Sequence, residues 1–246
     1  MEYEIPIPPE NFIKLIGYPG YKEVGETFFG YFKDLCGLQP EEKLLEIGCG
    51  VGRMAVPLTR YLKDGGEYIG IDIVKDFIDW NRQNITTRFP NFNFVWADIQ
   101  NRFYNPAGFL KDEVYLFPFQ DQTFDMVILI SVFTHMLEEG FFRYVSEVSR
   151  LLRPGGRCFA TFFMLNPLQA QLYKQGKNQI DFSISHGVCK TVEGIPESVV
   201  SYPEDYVKQV FTSNGLQVRE PVYYGWWSGR EDFISFQDML VAVKEG

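Results

Sequence analysis

Glu46-Ile47-Gly48-Cys49-Gly50-Val51-Gly52-Arg53 is the stretch of this chain whose residue types and spacing best suit chemistry. It follows an apolar run, Lys43-Leu44-Leu45, and leads into a helical pattern carrying Ala55, Leu58 and Leu62. Glycines at such a strand-to-helix turn adopt torsions closed to other residues and let backbone pass close to a ligand. A dinucleotide pyrophosphate loop wants G-x-G-x-x-G, but Arg53 holds the third place and Gly52 comes one residue early. With Glu46 in front, the pattern is E-x-G-x-G-x-G. Two further runs end in acids. Tyr68-Ile69-Gly70-Ile71-Asp72 puts a carboxylate twenty residues past Gly52, at the end of the next strand, where it can accept both hydroxyls of a ribose. The run from Phe92 to Trp96 alternates with period two and leads to Asp98. One Asp after a strand is commonly a helix N-cap. Three acids closing three successive strands point instead to a bound ligand.

The elements that must position these groups alternate along the chain. Residues before Pro40 form two helical patterns joined by Gly17-Tyr18-Pro19-Gly20, the second with Val24, Phe28, Phe32 and Leu35 on one face and Gly37 as its stop. From Lys43 the order is strand, helix, strand to Asp72, helix over about 76–88, strand to Asp98, then a loop with Pro106, Gly108 and Pro118. Phe124-Asp125-Met126-Val127-Ile128-Leu129-Ile130-Ser131 is nearly all apolar, as a central parallel strand should be. A helix from about Glu139 is expected to turn Phe142, Val145, Val148 and Leu152 inward, before Pro154-Gly155-Gly156 turns into the strand 157–164. Pro57 is tolerable only in the opening turns of its helix, where its missing N–H has no partner to lose. Ser201-Tyr202-Pro203-Glu204 reads as a capping box opening a helix that ends at Asn214-Gly215, and strand-like runs at 216–224 and 235–244 close the chain. The alternation predicts an α/β fold with helices on both faces of an open parallel sheet.

Composition narrows the class. The 246 residues carry a formal net charge of −9, which disfavours a nucleic-acid partner, whose phosphates ask for a basic groove. No run of eighteen apolar residues exists and the start, Met1-Glu2-Tyr3-Glu4, lacks a signal-peptide charge block, so no membrane partner and a cytoplasmic location are expected. Cys36, Cys49, Cys158 and Cys189 are far apart with two histidines in the chain, which speaks for reduced thiols and against a metal site.

The E-x-G-x-G-x-G loop, the acids at 72 and 98, the L-L-R-P-G-G turn at 151–156 and the terminal strand pair together resemble the class I S-adenosylmethionine-dependent methyltransferases. The motifs carry the likeness over roughly residues 40–165 and the element pattern over 200–246. The resemblance implies a Rossmann-like, doubly wound, seven-stranded sheet, mostly parallel, whose last strand inserts antiparallel between the fifth and sixth. It also implies one domain. Residues 1–40 would be a helical cap, 41–164 the cofactor-binding core, 165–200 a substrate-side insertion, and 201–246 a terminal helix and β-hairpin. S-adenosylmethionine is the implied cofactor, with Asp98 on the adenine amino group and Ile73 on its ring. The contacts expected are Glu46, Gly48, Cys49, Gly50, Gly52, Arg53, Asp72, Ile73, Asp98, Ile99 and Ser131.

The implied reaction is methyl transfer to oxygen, or second to nitrogen, of a small or medium-sized acceptor such as a sugar, natural product or peptide. The fourth strand lacks the D/N-P-P-Y/F signature of base-directed amino methylation, and Glu138 and Glu139 are adjacent, hence on different helix faces. His135, just past the fourth strand, suits a general base; packing under the short helix that follows is its other reading. Tyr18, Tyr21, His186, Trp226, Trp227 and Arg230 are the candidates for acceptor binding. A cofactor-binding regulatory or partner protein without transfer is the alternative from another class. A nicotinamide oxidoreductase is opposed by Arg53 and the terminal hairpin. Oligomeric state is not legible.

Overall fold

The computed structural model describes residues 7–17, 20–63 and 65–246. Tyr18 lies outside them. Strands β1 (Lys43–Ile47), β2 (Glu67–Asp72), β3 (Phe92–Trp96), β4 (Phe124–Leu129) and β5 (Leu152–Phe162) pair in parallel. Numbering the remaining strands in chain order, β6 is Met164–Leu165, β7 Ile184–His186, β8 Cys189–Thr191, β9 Val200–Pro203, β10 Leu216–Tyr223 and β11 Asp238–Lys244. The main sheet runs β10-β11-β5-β4-β1-β2-β3, with β11 antiparallel between β5 and β10. This is the seven-stranded Rossmann-like arrangement that the family resemblance implied. All six residues of β4 are buried, as a strand covered on both faces requires.

Helices α2 (Tyr21–Asp34), α3 (Ala55–Leu58) and α4 (Lys75–Asn81) cover one face, and α5 (Glu138–Leu151) and α7 (Glu204–Ser213) the other. The short α1 (Glu10–Leu15) precedes them, and Phe12 meets Phe77 of α4 edge-on at 5.3 Å. The buried Arg157 of β5 binds both carboxylate oxygens of Glu42 at 2.7 and 2.6 Å and the Cys36 carbonyl at 3.0 Å, which fixes the chain after α2 to the sheet. Among the described residues, no helix is long and apolar enough to cross a membrane.

Three local expectations shift. On α5 the inward residues are Phe141, Tyr144, Val145, Val148 and Leu151; Phe142 is half exposed and Leu152 already belongs to β5. Phe141 stands four residues before Val145 and seven before Val148, which puts it on their face in place of Phe142. Ser201 does not cap a helix. It lies in β9, its hydroxyl donating to the Lys190 carbonyl of β8, and α7 starts at Glu204 without a side-chain cap. The segment 165–200, expected as an insertion, forms elements of its own: it contributes α6 (Pro167–Lys174), β7 and β8, and part of a second sheet ordered β6-β9-β8-β7, next to a small core of Phe163, Phe182 and Trp227. Pro57 stands third in a four-residue helix, where no hydrogen bond is forfeited.

Candidate functional site

The glycine loop is folded by its own torsions and by β2. Gly48, Gly50 and Gly52 have φ of 75°, 51° and 72°, which side-chain-bearing residues rarely adopt. The Gly48 and Cys49 amides donate to the Ile71 carbonyl at 2.7 and 2.9 Å. Asp72, at the end of β2, accepts the Gly50 amide on one oxygen at 2.7 Å and the Val74 amide on the other at 2.8 Å. Its carboxylate lies on the wall of a cleft above the loop, and burial raises its pKa to about 6 against the pull of those two donors. Each oxygen still has a lone pair for a ligand hydroxyl. From below, Asn81 of α4 donates to the Gly50 carbonyl at 2.8 Å.

Glu46 stands behind this loop, not in the cleft. It is 2% exposed, accepts the Tyr68 hydroxyl, and burial pushes its carboxyl up to about 8. Cys49 is equally buried, its thiol 3.9 Å from Asn81 Nδ2. A Cβ on Gly52 would come within 2.6 Å of Ile85 Cδ1, so that glycine permits the loop to lie down on α4 and the turn after it. Arg53 reaches sideways and donates to the Gly17 carbonyl at 2.7 Å, tying the segment after α1 to the loop.

The cleft is lined by Gly48, Gly50, Asp72 and Ile73 on one side and by Ile99, Gln100, Asn101 and Tyr104 on another. Ile130, Ser131, Val132 and His135 close it from the end of β4, and Asp112, Phe117 and Tyr144 form its far end. Asp98 is not on this wall. Its carboxylate accepts Asn105 Nδ2 at 3.1 Å and its carbonyl takes the Phe109 and Leu110 amides, while Asp112 is the second carboxylate that borders the cleft.

His135 ends a single 3₁₀ turn, Phe133–His135, just past β4. Its Nδ1 is 3.0 Å from the Glu197 carbonyl; a carbonyl only accepts, so Nδ1 carries the proton and Nε2 keeps its lone pair. Nε2 faces the Tyr104 hydroxyl at 3.4 Å, and burial holds the imidazole below its usual pKa. Beside it Ser131 has a φ of 57°, an uncommon torsion for a residue with a side chain. It is held by Thr161 Oγ1 on its amide at 2.8 Å and by Gln237 Oε1 on its hydroxyl at 3.0 Å. Held backbone strain of this kind collects at working sites.

A second cavity opens on the other side of that wall. Val24, Phe28 and Tyr31 of α2, Phe103, Arg53, and Trp226, Phe233, Ile234 and Phe236 of the loop before β11 line it. The Tyr31 hydroxyl donates to the Ile234 carbonyl and so closes α2 onto that loop. Ile16, Tyr104, Ile130, Ser131 and His135 border both cavities.

Of the residues expected at an acceptor, Trp226 is in this second wall. Its neighbour Trp227 is fully buried, with Nε1 donating to Asp238 at 3.0 Å, and lines neither cavity. Tyr21 is buried with its hydroxyl on the Val51 carbonyl at 2.8 Å. Arg230 stacks 4.0 Å over Tyr224 and donates to Asn166, and His186 lies in β7, both away from the cavities. Sequence reasoning missed Tyr104, Phe103 and Gln237. The first two lie in a stretch of prolines and glycines that has no periodic signal, and nothing in the sequence pairs Gln237 with Ser131.

Known proteins are similar to this chain in sequence and in fold. The family described as Methyltransferase domain matches residues 45–160. A tRNA N(3)-cytidine methyltransferase of Gallus gallus is 25% identical over 194 residues, covering 76% of this chain and 46% of its own. A phthiotriol/phenolphthiotriol dimycocerosates methyltransferase of Mycobacterium ulcerans is 32% identical over 122 residues, 49% of this chain and 37% of its own. The chain thus spans less than half the length of these curated relatives. In fold it is similar to the crystal structure of a SAM-dependent methyltransferase from Aquifex aeolicus, with a TM-score of 0.59 at 14% identity over 97% of this chain and 99% of that one. By glycine loop, sheet order and the match of residues 45–160, the chain is similar to the class I S-adenosylmethionine-dependent methyltransferases and shares their fold.

Proposed function

We propose that this chain transfers the methyl group of S-adenosylmethionine to oxygen, or second to nitrogen, of a small or medium-sized acceptor held in the second cavity. The observation that carries this reading is the wall of Ile16, Tyr104, Ile130, Ser131 and His135 common to the two cavities. A methyl donor on one side and an acceptor on the other would both border that wall, and a second cavity there is not needed by a protein that only stores the cofactor.

The residues of the first cleft fit the cofactor. A Cβ on Gly48 would fall 2.5 Å from Val132 Cγ2, so only a glycine lets the loop and Val132 pack together on the wall of this cleft, where a methionine chain would lie. Asp72 suits the ribose hydroxyls, while Ile73 and Ile99 offer apolar walls to an adenine ring. Glu46, Cys49, Gly52 and Arg53 serve the same site by holding the loop. The cofactor supplies a methyl carbon that is already electrophilic. What the protein adds is alignment, exclusion of water and a place for the acceptor's proton. His135 Nε2 is that place, kept basic by the Glu197 carbonyl on Nδ1.

The net charge of −9 argues against a nucleic-acid acceptor, and the likeness to a tRNA methyltransferase argues for one. The apolar lining of the second cavity supports the small acceptor. We take residues 1–246 as one working unit, with the helices before residue 40 and the insertion 165–200 covering the acceptor side. Four buried free cysteines accord with the reducing cytoplasm.

The test is His135→Gln. Turnover should fall about 10²–10⁴-fold while affinity for S-adenosylhomocysteine is kept. In the native enzyme the rate should rise with pH through a pKa at or below about 6.5, because burial lowers that of the imidazole. Native turnover in a folded His135→Gln protein would leave alignment alone to carry catalysis, as for an amine acceptor.

A further inference from the structure

The second cavity is walled by rings brought from three distant places: Phe28 and Tyr31 from α2, Phe103 from the segment after β3, and Trp226, Phe233 and Phe236 from the loop before β11. Trp226 and Phe236 lie 4.5 Å apart, centroid to centroid, and Phe28 and Tyr31 5.6 Å. Lys14 pairs with Glu10 at 2.7 Å on an exposed rim, and Arg53 gives one terminal nitrogen to the Gly17 and Ile16 carbonyls while its buried Nε has no partner among the described residues. Such a chamber of rings favours a flat apolar body.

At its floor, one aryl hydroxyl already lies beside the basic nitrogen. Tyr104 approaches His135 edge-on at 5.1 Å with its hydroxyl 3.4 Å from Nε2. That contact is long, and an incoming hydroxyl would compete for the same lone pair.

Resting on the reading of the two cavities given above, we propose that the acceptor is a small molecule bearing an aryl hydroxyl, its ring seated among these side chains and its O–H directed at His135 Nε2. The aryl oxygen bonds to the methyl carbon as the carbon–sulfur bond breaks, the electron pair of that bond stays on sulfur, and the hydroxyl proton passes to Nε2 and on to solvent. The chemistry selects for a phenol. An aryl hydroxyl titrates near 10, within reach of an imidazole in a transition state. An alkyl hydroxyl, close to water's roughly 15.7, asks for a much stronger base than a buried neutral histidine.

The full chain is incubated with methyl-labelled S-adenosylmethionine and a set of probes. These are monocyclic and bicyclic phenols such as 2-naphthol, the saturated alcohol decahydro-2-naphthol, 2-naphthylamine, glucose, and a cytidine-containing RNA oligonucleotide. The phenols should be labelled at least about tenfold faster than any other probe. Trp226→Ala should raise KM for the best phenol about tenfold with kcat and S-adenosylhomocysteine affinity little changed; if that variant does not fold, the exposed Phe233→Leu takes its place. Labelling of the saturated alcohol, amine, sugar or RNA at the phenols' rate or above would overturn the proposal. So would calorimetric binding of S-adenosylhomocysteine with no phenol labelled. Absence of that binding would instead bring down the cofactor reading beneath it.

Discussion

Lowering the pH from 7 to 5 should weaken S-adenosylhomocysteine binding about tenfold, through one carboxylate. Burial raises the Asp72 pKa to about 6 in the folded protein, and its charged form is the one proposed to accept both ribose hydroxyls. If only the carboxylate binds well, the apparent Kd grows as 1 + 10^(6 − pH). That is about 1.1-fold at pH 7 and about 11-fold at pH 5. Two charge-assisted hydrogen bonds, each worth about 1.5–3 kcal/mol, set a floor more than about a hundredfold down, so the slope should persist across this window. Stability of the ligand-free protein should move the other way. A folded pKa raised from 3.8 to about 6 contributes stability that is complete below about pH 3.8 and is lost as pH rises through about 6. Calorimetric titration from pH 5 to 8, with denaturant unfolding of the free protein alongside, measures both trends. In Asp72→Asn the affinity should fall at least about tenfold at pH 7.5 and the pH dependence should flatten. Constant affinity in the native protein from pH 5 to 8 would refute the role given to Asp72.

Gly48→Ala should cost about 1–3 kcal/mol in stability, from the left-handed backbone at φ 75° and the 2.5 Å approach to Val132, and should abolish S-adenosylhomocysteine binding measured by calorimetry. Glu46→Gln should remove up to about 3 kcal/mol of pH-dependent stability between pH 5 and 8. The native carboxyl, raised from 4.5 to about 8, stabilises fully below about pH 4.5 and loses that contribution as pH rises through 8. Equal unfolding free-energy slopes in the two proteins over that range would show that Glu46 is charged and compensated in the fold.

What the sequence made legible was local. The glycine loop, the acid at 72 and the hydrophobic run of β4 each state their geometry within a few residues, because positive φ and strand burial act at that range. Two strand-like runs with no helix between them made the terminal hairpin legible, while the insertion of β11 was implied by the family resemblance. Elsewhere tertiary contacts decided. Trp226 and Trp227 are neighbours with opposite fates, one on a cavity wall and one bonded to Asp238 in a small core, and composition cannot separate them. Asp98 fits its motif, yet Asn105, seven residues on, holds its carboxylate outside the cleft wall. The second cavity draws on α2, residue 103 and the 226–237 loop, with Tyr31 and Ile234 in contact across 203 residues, and no spacing rule joins them.

The most direct test is a crystal structure of the chain with S-adenosylhomocysteine. The account predicts the ribose on Asp72, the methionine chain over Gly48 and the thioether sulfur at the wall of Ile130, Ser131, Tyr104 and His135, directed into the second cavity. A ligand bound elsewhere, or with its sulfur directed away from that wall, would contradict it.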